Sequence, residues 1–173
     1  MTKFLLIFLI LSSSSALFLN AATLQDVYDE ATPGMGYQKL LELHRDSIYL
    51  GGISISNETV GIKGNGAIID LQGSSISVTG LSTLDIDACI IINGNHGIDA
   101  QDAVTALVTH CTFYNNQIGI SYMATSGQIE VINTILANNS QYGFACEEHS
   151  QRALHYINAY QNWGGDYMEW CSS

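Results

Sequence analysis

Four stretches of this chain can be superimposed. They are LDIDACIIINGNHGID at 84–99, LVTHCTFYNNQIGIS at 107–121, IEVINTILANNSQYGFAC at 129–146 and LHYINAYQNWGGDYMEWC at 154–171. Their starts, Leu84, Leu107, Ile129 and Leu154, lie 23, 22 and 25 residues apart. Each opens apolar–x–apolar, crosses an Asn-rich stretch and reaches a glycine: Gly97, Gly119, Gly143 and Gly165. A period in the low twenties is one supersecondary unit stacked on copies of itself, so equivalent positions line up in columns.

Upstream of the repeats, SIYLGGISIS, TVGIKGNG, AIIDLQG and SISVTG alternate with period two between Gly, Asn and Ser punctuation. No helical stretch separates these runs, which disfavours a βαβ sheet. Strands this short, joined by glycine-rich turns, suit parallel strands wound into a coil over 47–173. An antiparallel sandwich would leave the recurrence unexplained. Asn95, Asn115, Asn116, Asn138, Asn139 and Asn162 each precede a repeat glycine by two to five residues. Asn tolerates left-handed backbone, and its amide can bond the same residue one rung away.

Residues 23–46, TLQDVYDEATPGMGYQKLLELHRD, read differently. Thr23 and Asp26 resemble an N-cap with an acidic first turn, Pro33 and Gly34 interrupt, and Leu40, Leu41 and Leu43 continue an apolar stripe. One or two short helices are expected here, capping the open end of the stack. Residues 1–22 hold Lys3, the apolar run FLLIFLILSSSSALFL and small residues (Ala16, Ala22) suited to a cut. That is the pattern of a secretory signal peptide. No membrane span is expected after its removal, and the protein is expected to be secreted or extracytoplasmic, at a cell surface or in a periplasm.

The formal net charge is −11, with only five Lys and Arg. A duplex or an anionic bilayer is repelled by such a chain, so nucleic acid is excluded as a partner. Polyanionic glycans are disfavoured too unless a cation bridges them. All four cysteines fall in the repeats, and an exported chain meets an oxidising compartment. Cys89 and Cys111 are 22 apart, Cys146 and Cys171 are 25 apart, and each pair occupies equivalent places in successive repeats. Rungs about 4.8 Å apart bring such pairs within disulfide range, so two inter-coil disulfides are expected, with buried free thiols as the alternative. Zinc is disfavoured because no two cysteines are close in sequence.

The run IYLGGISISNETVGIKGNGAIIDLQG, followed by coils such as VTHCTFYNNQIGIS, resembles the right-handed parallel β-helix (pectin lyase-like) superfamily, which includes pectate lyases and polygalacturonases. Tyr49–Leu50, Gly51–Gly52, Ile62–Gly66 and Ile68–Asp70 carry the match to its first coil. The resemblance implies an all-β, right-handed solenoid of about five or six coils with a short N-terminal helical cap. It implies a polysaccharide or cell-surface glycan partner, and, where such proteins are enzymes, a site on an outer sheet face. Catalytic members generally have more coils.

With Leu84 and Ile86 inward, Asp85 and Asp87 point outward. Aligning the four starts then stacks Asp85, Val108, Glu130 and His155 in one column and places Asp87 beside His110. Three carboxylates and two imidazoles on one face are candidates for general acid–base work or for holding calcium. A weaker group is His96, Asp99 and Asp102 in HGIDAQD. Trp163, Tyr167 and Trp170 crowd the last coil, either as a sugar-stacking platform or as the cover of the core's end. The leading reading is an exported carbohydrate-interacting module without a full catalytic set. A polysaccharide lyase or glycoside hydrolase is the enzyme alternative, and a surface or adhesive repeat protein is the structural one.

Overall fold

The computed structural model describes residues 22–171; the leader predicted over 1–22 lies almost wholly outside them. In chain order the elements are α1 (Leu24–Glu30), β1 (Thr32–Gly34), β2 (Tyr37–Glu42), β3 (Ile48–Leu50), β4 (Ile53–Ser56), β5 (Thr59–Lys63), β6 (Ile68–Asp70), β7 (Ser75–Thr79) and β8 (Leu81–Asp87). They continue as β9 (Ile90–Ile92), β10 (His96–Thr109), β11 (Thr112–Tyr114), β12 (Ile118–Ile132), β13 (Ile135–Ala137), β14 (Tyr142–Cys146), β15 (Gln151–His155), β16 (Asn158–Tyr160) and β17 (Gly165–Tyr167). Apart from the antiparallel β1–β2 hairpin, every strand pair is parallel, each strand lying on its equivalent one coil away. About six coils result. One wall is the six-stranded sheet β3-β6-β9-β11-β13-β16. The other two walls run together as an eleven-stranded sheet, because β10 and β12 pass unbroken through the corner between them.

The corners explain the composition of the turns. One holds Ala88, His110, Asn133 and Tyr156, another Gln72, Asn93, Asn115, Asn138 and Gln161, all with φ between 50° and 59°. Asn enters this left-handed region readily, which accounts for its recurrence there. The repeat glycines answer a different constraint. A Cβ on Gly97 would sit 2.4 Å from the Gly119 carbonyl oxygen, and one on Gly119 2.5 Å from that of Gly143. Adjacent coils meet too closely there for any side chain.

Inside, Leu84, Ile86, Ile91, Val108, Phe113, Val131 and Leu136 are buried in columns. Among them runs an internal amide ladder. Asn116, Asn139 and Asn162 are buried; Asn139 Oδ1 accepts from the Asn116 backbone N–H at 3.0 Å, and Asn162 Oδ1 accepts from that of Asn139 at 3.0 Å. Each Nδ2 donates to a carbonyl of an adjacent coil (Ile91, Phe113 and Leu136), and Asp166 Oδ1 terminates the series on Asn162 Nδ2 at 2.8 Å. Asn115 and Asn138 lie exposed outside it, and Asn95 takes no part.

Two expectations need correction and one is narrowed. Of the one or two short helices expected in the N-terminal cap, one forms, over Leu24–Glu30. Thr23 caps α1 by accepting from Asp26 N–H at 3.0 Å, but the 33–46 segment is extended: Gly34, Met35 and Gly36 turn the chain, and Leu41 and Leu43 bury with period two on β5. One cysteine pair, Cys146–Cys171, is a disulfide with Cα atoms 5.7 Å apart; Cys89 and Cys111 are buried free thiols. Their sulfurs are occupied by backbone carbonyls, Cys111 Sγ lying 3.2 Å from Thr109 O and Cys89 Sγ 3.6 Å from Asp87 O. A hydrogen bond with Cys111, then burial, pushes the Cys89 thiol well above its ordinary value and keeps it protonated. Finally, the structural equivalents of Leu84 are Ala106, Ile129 and Arg152, so Leu107 and Leu154 are one and two residues out of register.

The ladder makes a stability prediction. Asn139→Ala leaves the Asn116 N–H and the Phe113 carbonyl without their side-chain partner in the core, at a cost of about 3 kcal/mol. Asn138→Ala, on the neighbouring exposed residue, should change stability by less than about 0.5 kcal/mol. Equal midpoints for the two variants in urea unfolding would remove the ladder from the account of this fold.

Candidate functional site

The corrected register redistributes the candidate side chains. Asp85 stacks on Leu107, which stacks on Glu130, which stacks on Ala153. Asp87 stacks on Thr109, then Ile132, then His155. Val108 is buried and points inward. The single column expected for Asp85, Val108, Glu130 and His155 therefore does not form. Glu130 is two rungs from Asp85, about 10 Å, and His155 three rungs from Asp87, about 14 Å. The structure brings Asp85, Asp87 and His110 together and leaves Glu130 and His155 apart.

His110 reaches Asp87 from the corner rather than from a strand. The left-handed backbone at His110 (φ 52°) turns β10 into β11 and leaves the imidazole outside, with Nδ1 2.9 Å from Asp87 Oδ1. The Thr109 hydroxyl donates to the same carboxylate oxygen at 2.6 Å. Asn133, one coil further along the same corner, places Nδ2 3.3 Å from His110 Nε2. An amide N–H can only donate, so the partners assign Nδ1–H donating to Asp87 and Nε2 accepting. Burial alone would raise the Asp87 carboxyl, but the hydrogen bonds from Thr109 and His110 outweigh it and hold that carboxyl below the usual range.

Beside this dyad the hairpin β1–β2 folds over the outer face and makes a cleft of about 220 Å³. Met35, Tyr37 and Leu107 give it apolar walls, and Lys63, Asp85, Asp87 and Thr109 its polar ones. The Tyr37 hydroxyl donates to Asp85 Oδ2 at 2.5 Å. That hydrogen bond, then burial, pushes the phenol up to about 12 and keeps it a donor. Lys63 is the strand partner of Asp87 on one side and of Glu42 on the other, with Nζ 3.4 Å from Glu42 Oε1. Among the described residues no three His, Cys, Asp or Glu side chains gather as a metal-holding group.

Tyr37, Lys63, Thr109 and Asn133 were not picked out by sequence reasoning. Tyr37 lies in the capping segment, where β2 and not a helix carries it, and Thr109 joins Asp87 only in the observed register. The weaker group divides as well: His96 Nδ1 is 3.5 Å from Asp99 Oδ2, too long to satisfy that buried nitrogen, while Asp102 turns to a corner and accepts from Gly80 N–H. In the last coil Tyr167 packs against the core, whereas Trp163 is 93% exposed; Arg152 bonds the Trp170 carbonyl. These three aromatics are divided between lining the core and standing in solvent.

A family model described as "Right handed beta helix region" matches residues 41–166. No curated protein and no solved structure matches the chain. Among the described residues no helix is long and apolar enough to cross a membrane.

The lowered Asp87 carboxyl carries a pH signature. A group whose folded pKa lies below its unfolded value contributes stability in full above that unfolded value, about 3.9, and loses it as pH falls through the lowered one. Asp87 is 54% exposed, so solvent screening keeps the contribution below about 1 kcal/mol. Asp87→Asn should therefore lose less stability than the wild type between about pH 5 and pH 2.5 in urea unfolding. Parallel losses in the two proteins would show that Thr109 and His110 do not stabilise the carboxylate.

Proposed function

This chain belongs to the right-handed β-helix family, and from that premise we propose that it is an exported module that binds a neutral carbohydrate chain in the cleft beside Asp87 and His110. One observation carries the reading: apolar walls from Met35, Tyr37 and Leu107 face a set of fixed hydrogen-bonding groups on successive rungs, Lys63, Asp85, Asp87 and Thr109. A sugar ring has the same division, an apolar C–H face and a rim of hydroxyls. Carboxylates held in place by Tyr37 and by Thr109 and His110 accept from hydroxyls at little further cost in side-chain entropy. The net charge of −11 favours a neutral glycan over an acidic one. Export is supported by the leader pattern in 1–22 and by the Cys146–Cys171 disulfide.

The dyad favours a second reading, a polysaccharide lyase or glycoside hydrolase. Asp87 orients His110 through Nδ1, which leaves Nε2 as the proton acceptor and Asn133 as the group a substrate would displace.

Incubation with neutral and acidic polysaccharides, with and without calcium, separates these readings. Calorimetry should give binding to a neutral glycan that weakens at least about tenfold, or about 1.4 kcal/mol, in both Asp87→Asn and His110→Ala. Trp163→Ala should leave it unchanged. New reducing ends or ultraviolet-absorbing unsaturated products, lost in His110→Ala, would make the protein an enzyme. Absence of both binding and turnover in the folded protein would overturn both readings and leave a structural repeat module. A requirement for calcium would bring in a cation bridge to acidic chains.

A further inference from the structure

We propose that a hollow beside the Thr125 bulge is a second sugar subsite, continuous with the cleft at Asp87, so that this wall takes a linear neutral glycan of about four residues and not a single sugar. The inference rests on the carbohydrate reading of that cleft and extends it onto residues that reading does not use.

Two departures from the regular coil build the hollow. At their shared corner β12 carries one residue more than β10. Asp102 pairs with Ala124 and Ala103 with Ser126, so Thr125 has no partner and bulges outward. Its hydroxyl donates to the Asp102 carbonyl at 3.1 Å, which ties the bulge down. Gly127, at φ 91°, returns the chain to the sheet where a Cβ would meet the Val104 carbonyl oxygen at 2.2 Å. One coil further on, residues 147–150 leave the sheet as a turn. The Ser150 N–H and hydroxyl close it on the Glu147 carbonyl at 3.2 and 2.8 Å. Bulge and turn together bound a hollow of about 340 Å³.

The lining offers hydrogen bonds and no fixed charge. Thr105, Gln128 and Gln151 stack on successive rungs, all three exposed, and Thr125 and Ser126 add hydroxyls. His149 is the one titratable side chain in the lining. The turn's carboxylates, Glu147 and Glu148, line an adjoining hollow instead. An anion meets no ammonium or guanidinium here, and a cation meets no carboxylate. Hydroxyls and carboxamides both donate and accept, as the hydroxyls of a neutral sugar do. The hollow also adjoins the cleft. Leu107 of the cleft and Thr105 of the hollow are successive outward residues of β10, about 7 Å apart, with only the inward Ala106 between them. From Asp87 to Gln151 is three rungs across and four residues along the strand, about 20 Å, the length of about four linked sugar rings. The cleft's volume of about 220 Å³ is below the range of about 300–1,000 Å³ in which pockets enclose their ligands, and cleft and hollow together fall within it.

The test is calorimetry of the purified protein with β-1,4-linked gluco-, manno- and xylo-oligosaccharides, each as a series from monomer to hexamer. For the series that binds, affinity should rise at least about tenfold from dimer to tetramer and then level off. Gln128→Ala and Gln151→Ala, both at exposed positions, should each weaken the tetramer at least about fivefold and leave the dimer unchanged. Asp87→Asn should weaken both. Ser54→Ala, at an exposed site on another wall, should change neither, and circular dichroism confirms that each variant is folded. Two results would each overturn the second subsite while leaving the cleft in place: a tetramer that binds no tighter than the dimer although Asp87→Asn weakens both, or a tetramer indifferent to both glutamine variants. Absence of binding by every oligomer would instead overturn the carbohydrate reading of the cleft, and this extension with it.

Discussion

Each residue in a coil must accept its own equivalent about 4.8 Å above and below, and the rest of this structure depends on that constraint. Backbone hydrogen bonds between coils run in register, so an inward column is filled by apolar side chains that pack on their neighbours one rung away, as Ile69, Ile91, Phe113 and Leu136 do. Aliphatic residues do so by shape. The buried asparagines do so by chemistry, since each amide offers a donor and an acceptor to the neighbouring rungs. Asp166 closes the series with an acceptor, and the Cys146–Cys171 disulfide holds the chain segment that covers the last coil. At the other end α1 and its buried Leu24 and Tyr28 do the same work without a covalent bond.

The corners, rather than the strands, assemble the candidate site. A strand face presents side chains in fixed columns, and the Asp87 column contains Lys63, Thr109 and Ile132. The imidazole further along this column, His155, lies three rungs from Asp87. His110 reaches the carboxylate because a left-handed residue at the corner can lay its side chain back over the end of the preceding strand. The cleft wall likewise comes from outside the repeat, from the hairpin that carries Met35 and Tyr37. Regular coils supply the floor, and departures from regularity supply the chemistry.

The three walls differ in what they offer solvent. The eleven-stranded sheet carries Asp85, Asp87, Glu130 and His155 on its outer side, while the six-stranded wall is nearly free of charge.

The solenoid, its period and the Gly97–Gly119–Gly143 column were legible in the chain, because stacking prints its repeat directly on the sequence. The short helix at Leu24–Glu30 was legible too, through Thr23 and Asp26. The register was not. β8 and β10 pair at a uniform offset of 22 residues, so the true partner of Leu84 is Ala106, a small residue beside the more conspicuous Leu107. A shift of one residue in a strand exchanges its inner and outer faces, which is why Val108 lies in the core and Leu107 in the cleft. Sequence alone determined that this chain winds into a stack of parallel strands, since that follows from periodicity and local backbone preference. Which carboxylate meets which imidazole, which thiols are joined and which wall is left bare were decided only by the tertiary structure, because each of those pairings spans a full coil and is set by rung-to-rung register.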